Sequence, residues 1–246
     1  MFAGKGKPKV INPRDAERRR SIIIRVAATA VVVVIAAAIG IGLIVSKDDS
    51  ASSGGTAAPA VATDTGAFRV NQPAAPKATL TLFEDFQCPA CKAFESQFGD
   101  TLKQIRANPD VAVEYKPIAI LDQQSSTQYS TRSANASACV AESTATNGDF
   151  TKWLAFHDAL YGRQPAEGGA GLTDATLTDL ATTAGAPSSV GSCIEDGQYT
   201  GWVGAETSEK SKDNLQGTPQ VEIDGKVVQV STPAALIAEV NAAVAQ

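Results

Sequence analysis

Residues 78–107 constrain this chain more than any other stretch. Ala78 to Phe86 alternates apolar and polar residues, Cys88-Pro89-Ala90-Cys91 follows, and Phe94, Phe98, Leu102 and Ile105 then recur at helical spacing. The alternation predicts a strand; the later spacing predicts a helix from Pro89 to about Ala107, stopped near Asn108-Pro109. With Cys88 at the N-cap, Pro89 takes the first helical position, where a missing N–H has no partner to lose. Cys91 then sits one turn on, within reach of a disulfide. The free N–H groups of the first turn and the helix dipole both favour a thiolate at Cys88. A cysteine pair of this spacing after a strand points to thiol redox chemistry. The other reading is half of a zinc knuckle, which needs two more ligands at suitable spacing. Beyond the pair the chain has only Cys139, Cys193 and a single histidine, His157.

Charge divides the 246 residues unevenly. Residues 1–25 hold eight Lys or Arg and two acids, a balance of +6; the whole chain carries −5, which leaves −11 on the remainder. An acidic body argues against nucleic-acid binding, which wants a basic face. Residues 1–21 read as a basic cytoplasmic tail. Within residues 22–45, the run from Val26 to Val45 has no charge, and twenty residues at about 1.5 Å rise span about 30 Å, a bilayer's hydrocarbon thickness. Basic residues before the run and Asp48 and Asp49 after it place the N-terminus in the cytoplasm and the remainder outside. The alternative, a cleaved signal peptide, carries a shorter apolar core of about 7–15 residues. Either way the cysteines are exported, where disulfides persist. Residues 46–75, rich in Ser, Gly, Ala, Thr and Pro, read as a flexible linker with a reach of about 30 Å.

Val111 to Ile120 predicts a second strand, so the first strand, the helix and this strand form a βαβ unit with a parallel pair. Residues from about 124 to 215 hold no good strand. Helices are expected near 126–146, 149–162, 173–184 and 187–212, broken at Asn147-Gly148 and by the loop 165–171. Cys139 falls in the first of them and Cys193 in the fourth. Paired, they close a loop of about 55 residues, worth roughly 4 kcal/mol on the chain-entropy view. The alternative is two buried free thiols, and export favours the disulfide. His157 lies on one helical face with Phe150, Trp153, Leu154 and Tyr161, and reads as a packed residue with no assigned role. Gln220 to Val230 reads as a hairpin around Asp224-Gly225, and Thr232-Pro233 opens a last amphipathic helix.

Together, Phe83-Glu84-Asp85-Phe86-Gln87-Cys88-Pro89-Ala90-Cys91, the helical insertion and Gly217-Thr218-Pro219 just before the hairpin resemble the thioredoxin superfamily. More closely they resemble its DsbA-like thiol–disulfide oxidoreductases of the membrane-anchored kind found in Gram-positive and actinobacterial cells. The resemblance covers about residues 76–246 and implies an α/β thioredoxin fold with a mostly helical insertion, preceded here by one transmembrane helix. It implies that Cys88 and Cys91 are catalytic and that the Thr218–Pro219 bond is cis, with the Thr218 backbone pairing to a substrate strand. The sequence departs from the family twice. Leu82 stands where many members carry a buried acid, with Glu84 the nearest carboxylate of the same strand parity and a candidate for redox tuning. Ala90, beside Pro89, stands where the most oxidising members carry histidine, which implies a milder oxidant.

The expected activity is the introduction of disulfides into exported, unfolded proteins with free thiols, using no cofactor, metal or nucleotide. The expected reoxidising partner is a membrane oxidase of the VKOR or DsbB type. A reductase or isomerase would use the same residues in the other direction, because direction follows redox potential and partner. A membrane-tethered peptide-binding chaperone would use the groove beside Pro219 and would work without the cysteines.

Overall fold

A parallel strand pair lies at the centre of the fold. In the computed structural model, which describes residues 56–246, β2 (Ala78–Glu84) runs beside β3 (Val111–Pro117) in register from Ala78↔Val111 to Glu84↔Pro117. The expected basic tail, the apolar segment 22–45 and the start of the linker lie outside the described residues. Among the described residues, no helix is long and apolar enough to cross a membrane.

The sheet has five strands in the order β1-β3-β2-β4-β5, with β1 spanning Phe68–Arg69, β4 Gln220–Ile223 and β5 Lys226–Val227. All pairs but β2–β3 are antiparallel. The β4–β5 turn is Asp224-Gly225, both at positive φ (51° and 73°), the conformation that suits a two-residue hairpin. Between β2 and β3 runs α1 (Pro89–Arg106), which buries Cys91, Phe94, Phe98, Leu102 and Ile105 along one face. Opposite charge helps the edge: Arg69 meets Glu114 across the β1–β3 pair at 2.7 Å.

Between β3 and β4 the chain is helical: α2 (Tyr129–Thr144), α3 (Thr151–Gly162), α4 (Asp174–Thr183), α5 (Val190–Glu195) and α6 (Thr200–Lys212). The last helix, α7 (Pro233–Val244), begins at Thr232, whose hydroxyl accepts from the Ala235 N–H. The central helix α2 packs against α3, α4, α5 and α6. It carries many small residues (Ser133, Ala134, Ala136, Ser137, Ala138 and Ala141, all buried), which lets four neighbours approach it. Ser137 also accepts the indole N–H of Trp153 at 2.9 Å.

Two expectations fail here. The helix expected over 187–212 is two helices, α5 and α6, because Gly197 at φ +61° takes the chain out of helical conformation between them. The linker expected over 46–75 ends earlier than its composition suggests. Ala67, Phe68 and Val70 are buried, and the Phe68 ring contacts those of Phe150, Trp153 and Trp202 at 5.5–6.2 Å. A two-residue strand is too short to show a period, so its sequence hides in the polar run around it.

Candidate active site

The end of β2 delivers the chain into the cysteine pair through a loop, Asp85-Phe86-Gln87, held from several sides. The buried Asp85 carboxylate accepts from the N–H of Gln87 (2.8 Å), the N–H of Leu121 (2.9 Å) and the hydroxyl of Ser130 (2.7 Å). Its main-chain oxygen accepts the Cys88 N–H at 2.9 Å. Burial pushes the Asp85 carboxyl up to about 6, against the pull of those hydrogen bonds. From just past the C-terminal end of α3, the Gln164 amide donates to the carbonyls of Phe86 and Cys88, each at 2.9 Å. Neither Asp85 nor Gln164 stood out as a site residue in the sequence. Both act on backbone groups, and which backbone they reach depends on the fold.

Cys88 is the N-cap of α1, in extended conformation, and Pro89 opens the helix. Cys88 is 7 % exposed and Cys91 not at all, so an incoming thiol meets Cys88. The two thiols are set far apart in acidity. Hydrogen bonding from the Cys91 thiol, joined by Thr218 and the N–H groups of Cys91 and Ala90, outweighs partial burial and brings Cys88 down to about 6. Burial, its hydrogen bond to Cys88 and the charge of Glu84 push Cys91 far above the ordinary thiol range. One sulfur is prepared as thiolate, the other as thiol. Pro89 and Ala90 are exposed and leave the approach open.

Opposite the pair, the Thr218–Pro219 peptide is cis, and the Thr218 carbonyl accepts from the Cys88 thiol at 3.3 Å. Residues 216–221 and 227–230, with Phe94 from α1, line a groove of about 300 Å³. Away from the pair, Cys139 on α2 and Cys193 on α5 form a disulfide.

Behind Cys91, Glu84 and His157 meet inside the protein, Glu84 Oε2 to His157 Nε2 at 2.9 Å. Glu84 shares strand parity with the core residues Leu80 and Leu82, and that alternation is the signal that places it inside, where Leu82 is also fully buried. Glu84, the redox-tuning candidate, and Asp85 beside it are both interior groups. His157 lies in its aromatic stripe as expected, but the same face that packs it also aims it at Glu84. Glu95, one turn after Cys91 on α1, completes the group.

The sequence matches a family model described as thioredoxin over residues 66–242. Among solved structures, the reduced form of the disulfide bond oxidoreductase DsbG from Mycobacterium tuberculosis is 36 % identical, with a TM-score of 0.64 over 76 % of this chain and 91 % of that one. Reduced DsbA from the same organism is 35 % identical, with a TM-score of 0.62 over 73 % and 93 %. Among curated proteins, the serine/threonine-protein kinase PknE of Mycobacterium tuberculosis is 34 % identical over 163 residues. That match takes in 63 % of this chain but only 28 % of the kinase, so the chain spans little more than a quarter of that relative's length.

Proposed function

We propose that this chain, which belongs to the thioredoxin family and is a DsbA-like disulfide oxidoreductase, works as an oxidant that introduces disulfides into exported proteins. The observation that carries the direction is the placing of Cys88 as the N-cap of α1, where the free N–H groups of the first turn and the buried Cys91 thiol beside it hold its sulfur as thiolate, below the ordinary thiol range. A stabilised Cys88 thiolate lowers the free energy of the reduced enzyme and so favours taking electrons from substrates.

In the proposed cycle, a substrate thiolate attacks Cys88 Sγ of the Cys88–Cys91 disulfide. The S–S bond breaks, and its electron pair leaves on Cys91, which takes up a proton because a buried thiolate is costly there. A substrate segment lying along the groove would be held by the Thr218 backbone while the mixed disulfide stands. A second substrate thiolate attacks the substrate sulfur of that mixed disulfide. Cys88 leaves as thiolate, a good leaving group at its low pKa. The substrate has lost two electrons and two protons, and the enzyme is reduced. A membrane oxidase of the VKOR or DsbB type would return it to the disulfide.

The Cys139–Cys193 disulfide supports an oxidising compartment. The proposed topology has a cytoplasmic tail at 1–21, an anchor at 22–45 and the catalytic domain outside. Equilibration of the Cys88–Cys91 couple against glutathione tests the direction. The reading expects a reduction potential near or above about −180 mV; a value near −270 mV, the thioredoxin range, would make the protein a reductant instead.

A further inference from the structure

We propose that Glu84, Glu95 and His157 form a binding site for a divalent cation of the zinc class, entered between α1 and α3. The three residues come from three elements: the end of β2, the second turn of α1 and the middle of α3. One donor atom from each converges so that all lie within 4.8 Å of one another, the Glu84–His157 pair at 2.9 Å. Around a bound zinc, ligands at about 2.0–2.2 Å from the metal would stand slightly over 3 Å apart, so a small closure of Glu95 completes the set. One imidazole and two carboxylates is a donor set that suits zinc when a water takes the remaining position.

The second observation is a concentration of unsatisfied polar atoms at this one place. Glu84 Oε1 and Glu95 Oε1 are both buried without a hydrogen-bond partner, and Glu84 itself is 3 % exposed. Buried polar atoms left unpaired are costly, and two carboxylate oxygens from one cluster ask for a common partner. The histidine is also oriented for ligation. Its Nε2 faces the carboxylates while Nδ1 lies 3.5 Å from Asp158, and a carboxylate behind a ligating imidazole fixes its tautomer and strengthens it as a donor.

An entry path exists. An opening of about 400 Å³ is lined by Glu95 and Asp158, and its remaining charges are Asp100 against Lys92, Lys103 and Arg106. Three acids balance three bases, so the mouth carries no net charge to repel a cation. With one histidine in the chain, sequence reading gives no metal site; the fold supplies the missing ligands as carboxylates. The cation would exchange no electrons, and the site stands whichever way the cysteine couple runs.

The test titrates zinc chloride calorimetrically into the full-length chain with Cys88 and Cys91 oxidised, so that neither thiol can bind metal. One zinc per chain is expected. Glu95→Gln should weaken binding at least about tenfold, and Asp100→Asn, in the same opening but outside the cluster, should bind as the parent does. Glu95→Gln should also lose the upward shift in melting temperature that zinc gives the parent and that Asp100→Asn keeps. His157→Gln should also lose binding. No saturable binding, or zinc bound equally well by Glu95→Gln, overturns the proposal.

Discussion

The Cys88 sulfur lies 3.3 Å from the carbonyl oxygen of Thr218. A carbonyl oxygen accepts from a thiol but offers nothing to a thiolate, so this contact does not explain why Cys88 titrates at about 6. The largest cause is the Cys91 thiol, which hydrogen-bonds to the charged sulfur. Alkylation of the reduced protein by iodoacetamide should therefore rise with pH through a midpoint near 6. In Cys91→Ala the midpoint should move up toward the ordinary thiol value of about 8.5. A midpoint unmoved by that change would assign the acidity to the Thr218 side chain and the helix N-terminus instead.

The same shift makes stability depend on redox state and pH. The folded-state pKa of Cys88 is depressed below its unfolded value, so its contribution is fully present above the unfolded pKa and is lost as pH falls through about 6. Only the reduced form has this group. The gap between the urea midpoints of reduced and oxidised protein should thus shift in favour of the reduced form between pH 5 and pH 8. A gap independent of pH would mean that Cys88 titrates alike in folded and unfolded chains.

Gln164 is a positioning residue. Its side-chain amide holds the carbonyls of Phe86 and Cys88 and touches no sulfur in the structure. Gln164→Ala takes a donor from the Phe86 carbonyl, leaves the Cys88 carbonyl with the Lys92 N–H alone, and frees the loop before α1. The loss should be about 1–3 kcal/mol in urea unfolding, with slower oxidation of a reduced dithiol peptide and a Cys88 alkylation midpoint above the parent's. Lower stability with an unchanged alkylation profile would restrict Gln164 to a structural role.

The disulfide between Cys139 and Cys193 ties α2 to α5 across a separation of 54 residues. Replacing both cysteines with alanine should cost roughly 4 kcal/mol, from the loop entropy returned to the unfolded chain. The alkylation profile of Cys88 should not change, because neither residue touches the active pair. Loss of Cys88 acidity in the double variant would reveal a coupling through α2 that the contacts do not suggest.

Local pattern exposed most of the frame. The strand alternation before Cys88, Pro89 at the first helical position, the Asp224-Gly225 hairpin and Thr232 before α7 each specify their element through neighbours in sequence. What stayed hidden depends on tertiary placement. Glu84 and Glu95 are eleven residues apart and His157 is 62 beyond Glu95, yet their donor atoms meet. Nothing in the helical stripe of Phe150, Trp153, His157 and Tyr161 tells whether the face it packs against carries a carboxylate. Gln164 is silent for a similar reason, since its partners are main-chain oxygens that any sequence would supply. Phe68 was concealed by its surroundings: its two-residue strand stands in a polar, small-residue run.

That concealed strand gives a direct test of where the folded domain begins. Phe68 is fully buried, contacts Phe150, Trp153 and Trp202, and pairs opposite Tyr115 on β3. Removing the ring opens a cavity in the aromatic layer that joins the sheet to α3 and α6. Phe68→Ala should lower unfolding free energy by about 3–5 kcal/mol, the usual cost of a buried Phe-to-Ala change. Gln72→Ala, a few residues on and on the surface side of the strand, loses one exposed hydrogen bond to the Arg69 carbonyl and should cost well under about 1 kcal/mol. If urea unfolding found both variants equally stable, residues 67–70 would belong to the linker after all. The measured asymmetry would instead place the start of the folded core before Phe68, ahead of the boundary that composition suggests.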